Sequence, residues 1–343
     1  MGLQRIYREV DAILEKVDFE QIVPGFRRYR FAVYTDKEIC LDGELMPYSE
    51  QFMGNTTLLY NGEYIAIWNV GFDPVEDMEQ LAASMVHEMF HCHQSTLGEK
   101  RYPSDLKLLC YPDDVDNYTK KYNENCALAD AYEHGDEGAL ARFAAIRAAR
   151  MENYPDMVRE ELKAETLEGM AEYAGMIALR MIAPEKFERK VQDYLRRLRA
   201  ENEQQLDIRR ISYFVGAVFF LCLERFGKPM RNEIDSELTA YEQNPVTPAD
   251  ELSVQLCAFI ETAYAKLVED RKRAIDEHIA ASSYTPCEAE ICGYDPMNMF
   301  RLGEHIYCKY IVFLKVGDEV QRHQRTIVLR MKDGSEREIT GYY

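Results

Sequence analysis

Hydrophobic residues follow two different periods along this chain, and together they predict a fold that combines helices with small sheets. In the first 20 residues, apolar side chains recur at every third or fourth position, as at Ile6, Val10 and Val17. This spacing is typical of an amphipathic helix that buries one face. Between residues 26 and 70, short runs of β-branched and aromatic residues replace it, and they predict a small antiparallel sheet.

The clearest local signal in this sheet is a β-hairpin. Two runs of strand-forming residues, 56–60 and 64–68, flank the dipeptide Asn61-Gly62. Asn-Gly is the pair that best fits a type I′ turn, because both turn residues must adopt positive φ. We therefore expect two antiparallel strands that are joined at this dipeptide.

A long helix is expected directly after the hairpin. Asp73 can cap a helix, Pro74 suits the first helical position, and Glu76 completes a capping box. Apolar residues then recur at helical spacing until Gly98, which is the residue type that most often ends a helix. We therefore predict one helix that begins at Asp73 and stops at Gly98.

The pattern of the remaining chain divides it into two parts. From residue 102 to about residue 283 the spacing is almost wholly helical, and beyond Pro286 strand-like runs return. The expected strands lie at 306–315, 326–330 and 336–340. We therefore predict an α+β fold that is predominantly α and ends in a small sheet.

These boundaries predict two domains. The main domain comprises residues 1–283, in which residues 1–98 form the sheet with its long helix and residues 99–283 form a helical subdomain. Residues 284–343 form a small C-terminal β domain. A chain of 343 residues is long enough for this division, because single cores stop growing at about 250–300 residues.

Charge and hydropathy narrow the choice of partners and location. The formal net charge of -19 disfavours nucleic acid as a partner, because such binding depends on clustered Lys and Arg. The most apolar segment, 211–223, is too short to span a membrane and contains Ser212 and Gly216. No apolar segment typical of a secretory signal follows Met1. We therefore expect a cytoplasmic protein that binds neither nucleic acid nor membrane.

The nine cysteines are expected to be reduced thiols, since their number is odd and no Cys-x-x-Cys pair occurs. Cys287 and Cys292 are the closest pair. His305 and Cys308 could complete a zinc knuckle with them, but the spacing matches no common zinc pattern. We therefore expect most of the cysteines to be small apolar residues of the core.

The residues that carry chemistry begin with the motif His-Glu-x-x-His at residues 87–91. On a helix, His87 and His91 project from one face within reach of a single ion, and Glu88 lies beside the open coordination position. Hydrolytic zinc sites need this arrangement. The alternative interpretation is an ordinary helix face whose His and Glu have no metal.

The order of sheet, hairpin and His-Glu-x-x-His helix resembles that of the zincin metallopeptidases. Metzincins carry a third His six residues after the second, where this chain has Leu97. Gluzincins instead take a Glu from a later helix, and residues 166–173 resemble their Asn-Glu-Gly-x-Ala-x-Tyr segment. The resemblance implies one zinc ion per chain with Glu168 as its third ligand, Glu165 as the alternative, and Glu172 as the carboxylate that orients a zinc-bound imidazole.

A second segment also resembles the aminopeptidase-like gluzincins. Residues 213–217 match their Tyr-x-x-Gly-Ala pattern, in which the Tyr hydroxyl stabilises the oxyanion. The resemblance implies that Tyr213 takes this role, and the alternative is a core aromatic on a buried helix. The interval from His91 to Glu168 is longer than in aminopeptidase-type or thermolysin-type gluzincins.

The function that the resemblance implies is a zinc-dependent metallopeptidase in which Glu88 is the general base. A peptide or protein substrate is expected to pair with the strand near residues 54–58. The Gly-x-Met-Glu-Asn segment of aminopeptidases is not matched, since residues 53–56 lack its Glu, so exopeptidase activity is not supported. Two alternatives stay open: an inactive binding protein with the zincin frame, and a zinc hydrolase of another amide or ester.

Overall fold

The computed structural model of this protein describes residues 2–111 and 114–343. It has an α+β fold with 51% helix and 18% strand, so the predicted dominance of helix is confirmed. Within the described residues, no helix combines the length and the apolar character that crossing a bilayer would need.

The first part of the chain forms a five-stranded sheet covered by helices. The strand order is β3-β2-β1-β5-β4. Its elements are α1 (Leu3–Leu14), α2 (Phe19–Ile22), β1 (Phe31–Tyr34), β2 (Glu38–Leu41), β3 (Glu44–Pro47), β4 (Thr56–Tyr60) and β5 (Glu63–Asn69).

The predicted antiparallel sheet is wrong in one respect, because β1 and β5 run parallel. The strands β2 to β4 separate these two in sequence, so the chain can return to the same end of β1 before it enters β5. The predicted hairpin is confirmed: β4 pairs antiparallel with β5, and Asn61 and Gly62 have φ values of 51° and 85°. Strand β4 is left at the edge of the sheet.

The helix that carries the His-Glu-x-x-His motif, α3, comprises Met78–Thr96. It begins at Asp77 and not at the predicted Asp73, because the Asp77 carboxylate accepts hydrogen bonds from the backbone N–H groups of Glu79 and Gln80. Asp73 instead lies in a turn that follows β5. The predicted end is confirmed, since Gly98 follows the helix with φ of 77°. Helix α3 packs between β5, α1 and α8.

The middle of the chain is helical, as predicted. Helices α7 and α8 form one continuous rod, because the turn between them, Glu165–Gly169, is a π-helical turn. The helices are α4 (Asp105–Leu108), α5 (Val115–His134), α6 (Glu137–Asn153), α7 (Pro155–Ala164), α8 (Met170–Ile182), α9 (Pro184–Leu198), α10 (Ile208–Arg225), α11 (Ala240–Gln243) and α12 (Ala258–Ala281).

The C-terminal part forms a seven-stranded sheet with the order β10-β9-β6-β12-β11-β8-β7. Leu106 of α4 packs into the core of this sheet, which joins it to the helical region. The strands are β6 (Thr285–Tyr294), β7 (Met299–Leu302), β8 (His305–Cys308), β9 (Val312–Val316), β10 (Glu319–His323), β11 (Ile327–Met331) and β12 (Glu338–Tyr342).

The strand predicted at 306–315 is two strands. Strand β8 pairs with β7 and β11, whereas β9 pairs with β6 and β10. A bend at residues 309 and 310 separates them, so the chain changes its place in the sheet. The cysteines in this region are free thiols, and Cys308 is buried in the core of the sheet.

Candidate metal centre

Three side chains converge where α3 meets the π-helical turn. His87 and His91 lie one turn apart on α3, and their Nε2 atoms are 3.1 Å apart. Glu168, from the π-helical turn, directs Oε2 at both imidazoles, at 3.2 Å from His91 Nε2 and 3.7 Å from His87 Nε2. All three ligand atoms lie within 4.8 Å of one another, so one ion could contact all of them.

The outer nitrogen of each imidazole is held by an acceptor. His87 Nδ1 lies 3.0 Å from Oε2 of Glu172, and His91 Nδ1 lies 2.7 Å from Oε1 of Gln94. A carboxylate and an amide oxygen can only accept, so they place a proton on each Nδ1, and in the neutral imidazole, the form that binds a metal, the lone pair is then on Nε2. Two lone pairs and a carboxylate oxygen therefore face one small volume, where only a cation or a proton can stabilise them.

Gln94 was not predicted from the sequence. Its side chain is fully buried, and its amide nitrogen donates to the carbonyl oxygen of Leu167 at 3.1 Å. It therefore joins His91 to the residue that precedes Glu168. The available signal was its position three residues after His91, which lies on the same helix face.

Glu172, which contacts His87, is itself fixed by two side chains of α9. Its Oε1 accepts a hydrogen bond from the Tyr194 hydroxyl and lies 2.7 Å from Nζ of Lys190, both on α9. Burial alone would raise the pKa of Glu172, but Lys190 and His87 outweigh it and hold the pKa below its usual range. The carboxylate is therefore ionised and contacts the outer nitrogen of His87, where the resemblance implies a residue that orients a zinc-bound imidazole.

Two glycines allow Glu168 to reach the centre. A Cβ atom on Gly169 would lie 2.4 Å from Cα of Gly216, and one on Gly216 would lie 2.5 Å from the carbonyl oxygen of Glu165. No side chain fits at such distances, so glycine at both positions allows the π-helical turn and α10 to contact each other backbone to backbone. The glycines of the two sequence motifs thus bring Glu168 beside Tyr213.

The centre opens into a cleft of about 290 Å³. Glu88 and Tyr213 both line it, and the Tyr213 ring is parallel to the imidazole of His87, with ring centroids 6.0 Å apart. Burial raises the pKa of Glu88 and of Tyr213, and the Glu168 carboxylate raises that of Tyr213 further. Tyr213 therefore keeps its proton at neutral pH and can donate a hydrogen bond into the cleft.

The edge strand of the first sheet forms another wall of this cleft. Asn55 and Thr56 line it where β4 begins. The hydroxyl of Thr57 donates to the carbonyl oxygen of Glu88 at 2.9 Å, which fixes β4 against α3. The strand predicted to bind substrate thus lies beside the residues predicted to carry the chemistry.

The two carboxylates beside His87 determine the protonation state of this imidazole in the absence of a metal. Burial would lower the pKa of His87, but hydrogen bonds to Glu168 and Glu172 outweigh it and raise the pKa to about 10. Burial likewise opposes ionisation of Glu168, yet His91 and His87 hold its pKa well below the usual range. In the absence of a metal, His87 is therefore protonated on Nε2 as well as on Nδ1 at neutral pH.

Glu165, the alternative third ligand, lies in a separate cluster of buried charges. Its carboxylate binds the guanidinium of Arg147, at 2.7 and 2.8 Å, and lies 3.3 Å from Nζ of Lys121. Three buried carboxylates and three buried cations form this cluster, so the charges balance. Its members are Lys121, Glu124, Arg147, Arg150, Glu161 and Glu165.

This buried charge cluster is a poor metal site. Glu124, Glu161 and Glu165 lie close enough to share an ion, but Lys121 and Arg147 already occupy the space between their oxygens. Among the described residues, the other group close enough to hold an ion is the one at His87. The cysteines near His305 belong to neither group.

Comparisons with protein-family models, with curated proteins and with solved structures found no match for this chain.

Proposed function

We propose that this protein is a zinc-dependent metallopeptidase of the gluzincin type with a zincin-like main domain. The observation that carries the proposal is the convergence of His87, His91 and Glu168 beside Glu88 in one cleft. Both imidazoles direct Nε2 at the carboxylate, and their outer nitrogens are held by Glu172 and Gln94. A site that only stored zinc would not need Glu88, an additional carboxylate in the same cleft.

The donor atoms fit zinc. Two imidazole nitrogens and one carboxylate oxygen are a common ligand set of catalytic zinc, which keeps the fourth position for water. Imidazole donors favour zinc over magnesium and calcium, which prefer oxygen ligands. His87, His91 and Glu168 would therefore hold one ion per chain.

The chain's own residues would divide the chemistry between them. When bound, zinc supplies a Lewis acid that acidifies water and polarises a carbonyl group. Glu88 accepts the proton of the attacking water and returns it to the leaving amine, and its raised pKa brings it closer to the ideal for a general base. The Tyr213 hydroxyl donates a hydrogen bond to the oxygen that gains negative charge.

The substrate that fits this cleft is an extended peptide. Strand β4 has one partner, β5, in the sheet of the described residues, so its other edge can accept a peptide strand by main-chain hydrogen bonds. Asn55 and Thr56 at the start of β4 line the cleft, so a peptide bound there would cross the metal centre.

Metal content and turnover test this proposal together. We expect about one zinc per chain by mass spectrometry in protein purified without added metal, and much less in Glu168→Ala. A peptide-library digest should show cleavage by the wild type. Glu88→Gln should abolish cleavage and keep the zinc, whereas the control Glu79→Gln, on the same helix but paired with Lys186 at the surface, should retain both.

The other outcomes separate the alternatives. Zinc without cleavage of any peptide, but with hydrolysis of other amides or esters, would replace the peptidase by a different hydrolase. Zinc with no turnover would favour a binding protein. A folded wild type that refuses added zinc would refute the metal centre.

A further inference from the structure

Arg209 lies directly behind the proposed third ligand. Its Nη2 is 2.8 Å from Oε1 of Glu168, and its Nε is 2.8 Å from Oδ1 of Asp105 on α4. The guanidinium carbon also lies 5.4 Å from the centroid of the Tyr213 ring. Arg209 therefore contacts a carboxylate on each side and the aromatic ring that lines the cleft.

We propose that Arg209 is a positioning residue that restricts Glu168 to a single ligand oxygen. The inference rests on the proposed metal centre and concerns how that centre is built. Arg209 occupies Oε1, so only Oε2 is directed at the two imidazoles. Glu168 thus offers one donor atom to a metal, although a carboxylate has two.

The geometry explains why an arginine stands at this position. A guanidinium is planar and carries donors in a rigid fork, so it can bind Glu168 and Asp105 at once in fixed directions. A lysine would bring the same charge as one point on a flexible stem. Asp105 is the first residue of α4. The next residue, Leu106, packs in the core of the C-terminal sheet and so holds Asp105 in place.

The two carboxylates leave one donor of Arg209 unpaired. This side chain is largely buried, and its Nη1 has no hydrogen-bond partner among the described residues. An unsatisfied buried donor is costly, but an apolar side chain in its place would leave the Glu168 and Asp105 carboxylates without their charged partner. It would also release the hold on Oε1.

The contact of Arg209 with Oε1 sets the number of ligand atoms that the protein supplies to the metal. Two imidazoles and one carboxylate oxygen make three, which leaves a tetrahedral ion one position for water. With Oε1 released, the same carboxylate could bind through both oxygens and raise the coordination number. Arg209 therefore keeps the fourth position open without contacting the metal.

Cobalt substitution tests this role apart from catalysis. Cobalt(II) d–d absorption is strong in four-coordinate sites and weakens as the coordination number rises. We expect Arg209→Met to show clearly weaker absorption than the wild type, and its zinc affinity, measured by competition with a chelator, to fall about tenfold, within the range known for residues that orient metal ligands. Arg210→Met is the matched control, because Arg210 pairs with exposed Asp207 and should leave both values unchanged.

A third variant covers the case in which Arg209→Met does not fold, which circular dichroism would show. Arg209→Lys keeps the charge but cannot bridge both carboxylates, so its spectrum and affinity should lie between those of the wild type and Arg209→Met. Cobalt spectra and zinc affinities equal to those of Arg210→Met would overturn the inference and leave the proposed function standing. A wild type that binds neither metal would refute both.

Discussion

The buried charge cluster makes a quantitative prediction for Lys121. Its Nζ lies 2.5 Å from Glu161, 3.0 Å from Glu124 and 3.3 Å from Glu165, and the Lys121 side chain is fully buried. Lys121→Met keeps the volume but leaves three carboxylates opposite two arginines. Breaking a buried ion pair on one side costs about 3–5 kcal/mol, because the remaining charge is uncompensated. We expect a loss of this size in the free energy of unfolding.

The neighbouring residue provides the control. Lys120 pairs with Asp116, whose side chain is 64% exposed, so Lys120→Met should cost about 0.5 kcal/mol or less. Urea denaturation followed by circular dichroism measures both variants in metal-free protein. At an m value of roughly 3 kcal/mol per M, the Lys121→Met midpoint should fall by about 1 M or more. A loss below about 1 kcal/mol, or equal losses in the two variants, would show that the cluster is not the balanced unit described above.

Three further outcomes follow from the same geometry. Alanine normally stabilises a helix by about 1 kcal/mol relative to glycine. Gly216→Ala should nevertheless destabilise the protein by about 1–3 kcal/mol in urea denaturation, because its Cβ would lie 2.5 Å from the Glu165 carbonyl oxygen. A variant more stable than the wild type would contradict this close contact. Zinc binding at pH 7 should release about one proton, since the pKa of His87 is about 10 without metal. Titration calorimetry in two buffers of different ionisation enthalpy would detect this proton. A heat of binding that does not depend on the buffer would contradict its release. Arg147, Lys121 and Arg150 outweigh the burial of Glu124 and lower its pKa to about 2. The contribution of Glu124 to the unfolding free energy should therefore be complete above pH 4.5 and disappear as the pH falls toward 2. A free energy of unfolding that stays constant over this range would contradict the lowered pKa.

The features that the sequence predicts well depend on neighbours along the chain. The spacing of His87 and His91 fixes their common face as soon as the segment is helical, and Asn61-Gly62 determines its own turn. By the same rule Asp42-Gly43 should have predicted a second hairpin, since these residues have φ values of 52° and 80° and join β2 to β3. That signal is as local as the one at Asn61-Gly62.

The features that the sequence does not predict depend on contacts between distant segments. The parallel pairing of β1 with β5 cannot be inferred from either strand, because it depends on the path of the chain between them. The start of α3 was ambiguous in the same way: Asp73 and Asp77 are both suitable caps, but the Asp77 carboxylate also binds Lys186 of α9. Gln94 and Arg209 carry no motif, and their roles depend on which helices meet.

The place of β12 in the C-terminal sheet restricts the order in which the protein can assemble during synthesis. Of the seven strands, β12 is made last and yet lies at the centre, where it joins the group β10-β9-β6 to the group β11-β8-β7. The two groups cannot unite before the ribosome has released β12. The core that receives Leu106 is therefore completed only after all the helices of the described residues have been made. Because Asp105 adjoins Leu106 and binds Arg209, the support of Glu168 is among the last parts of the molecule to become rigid.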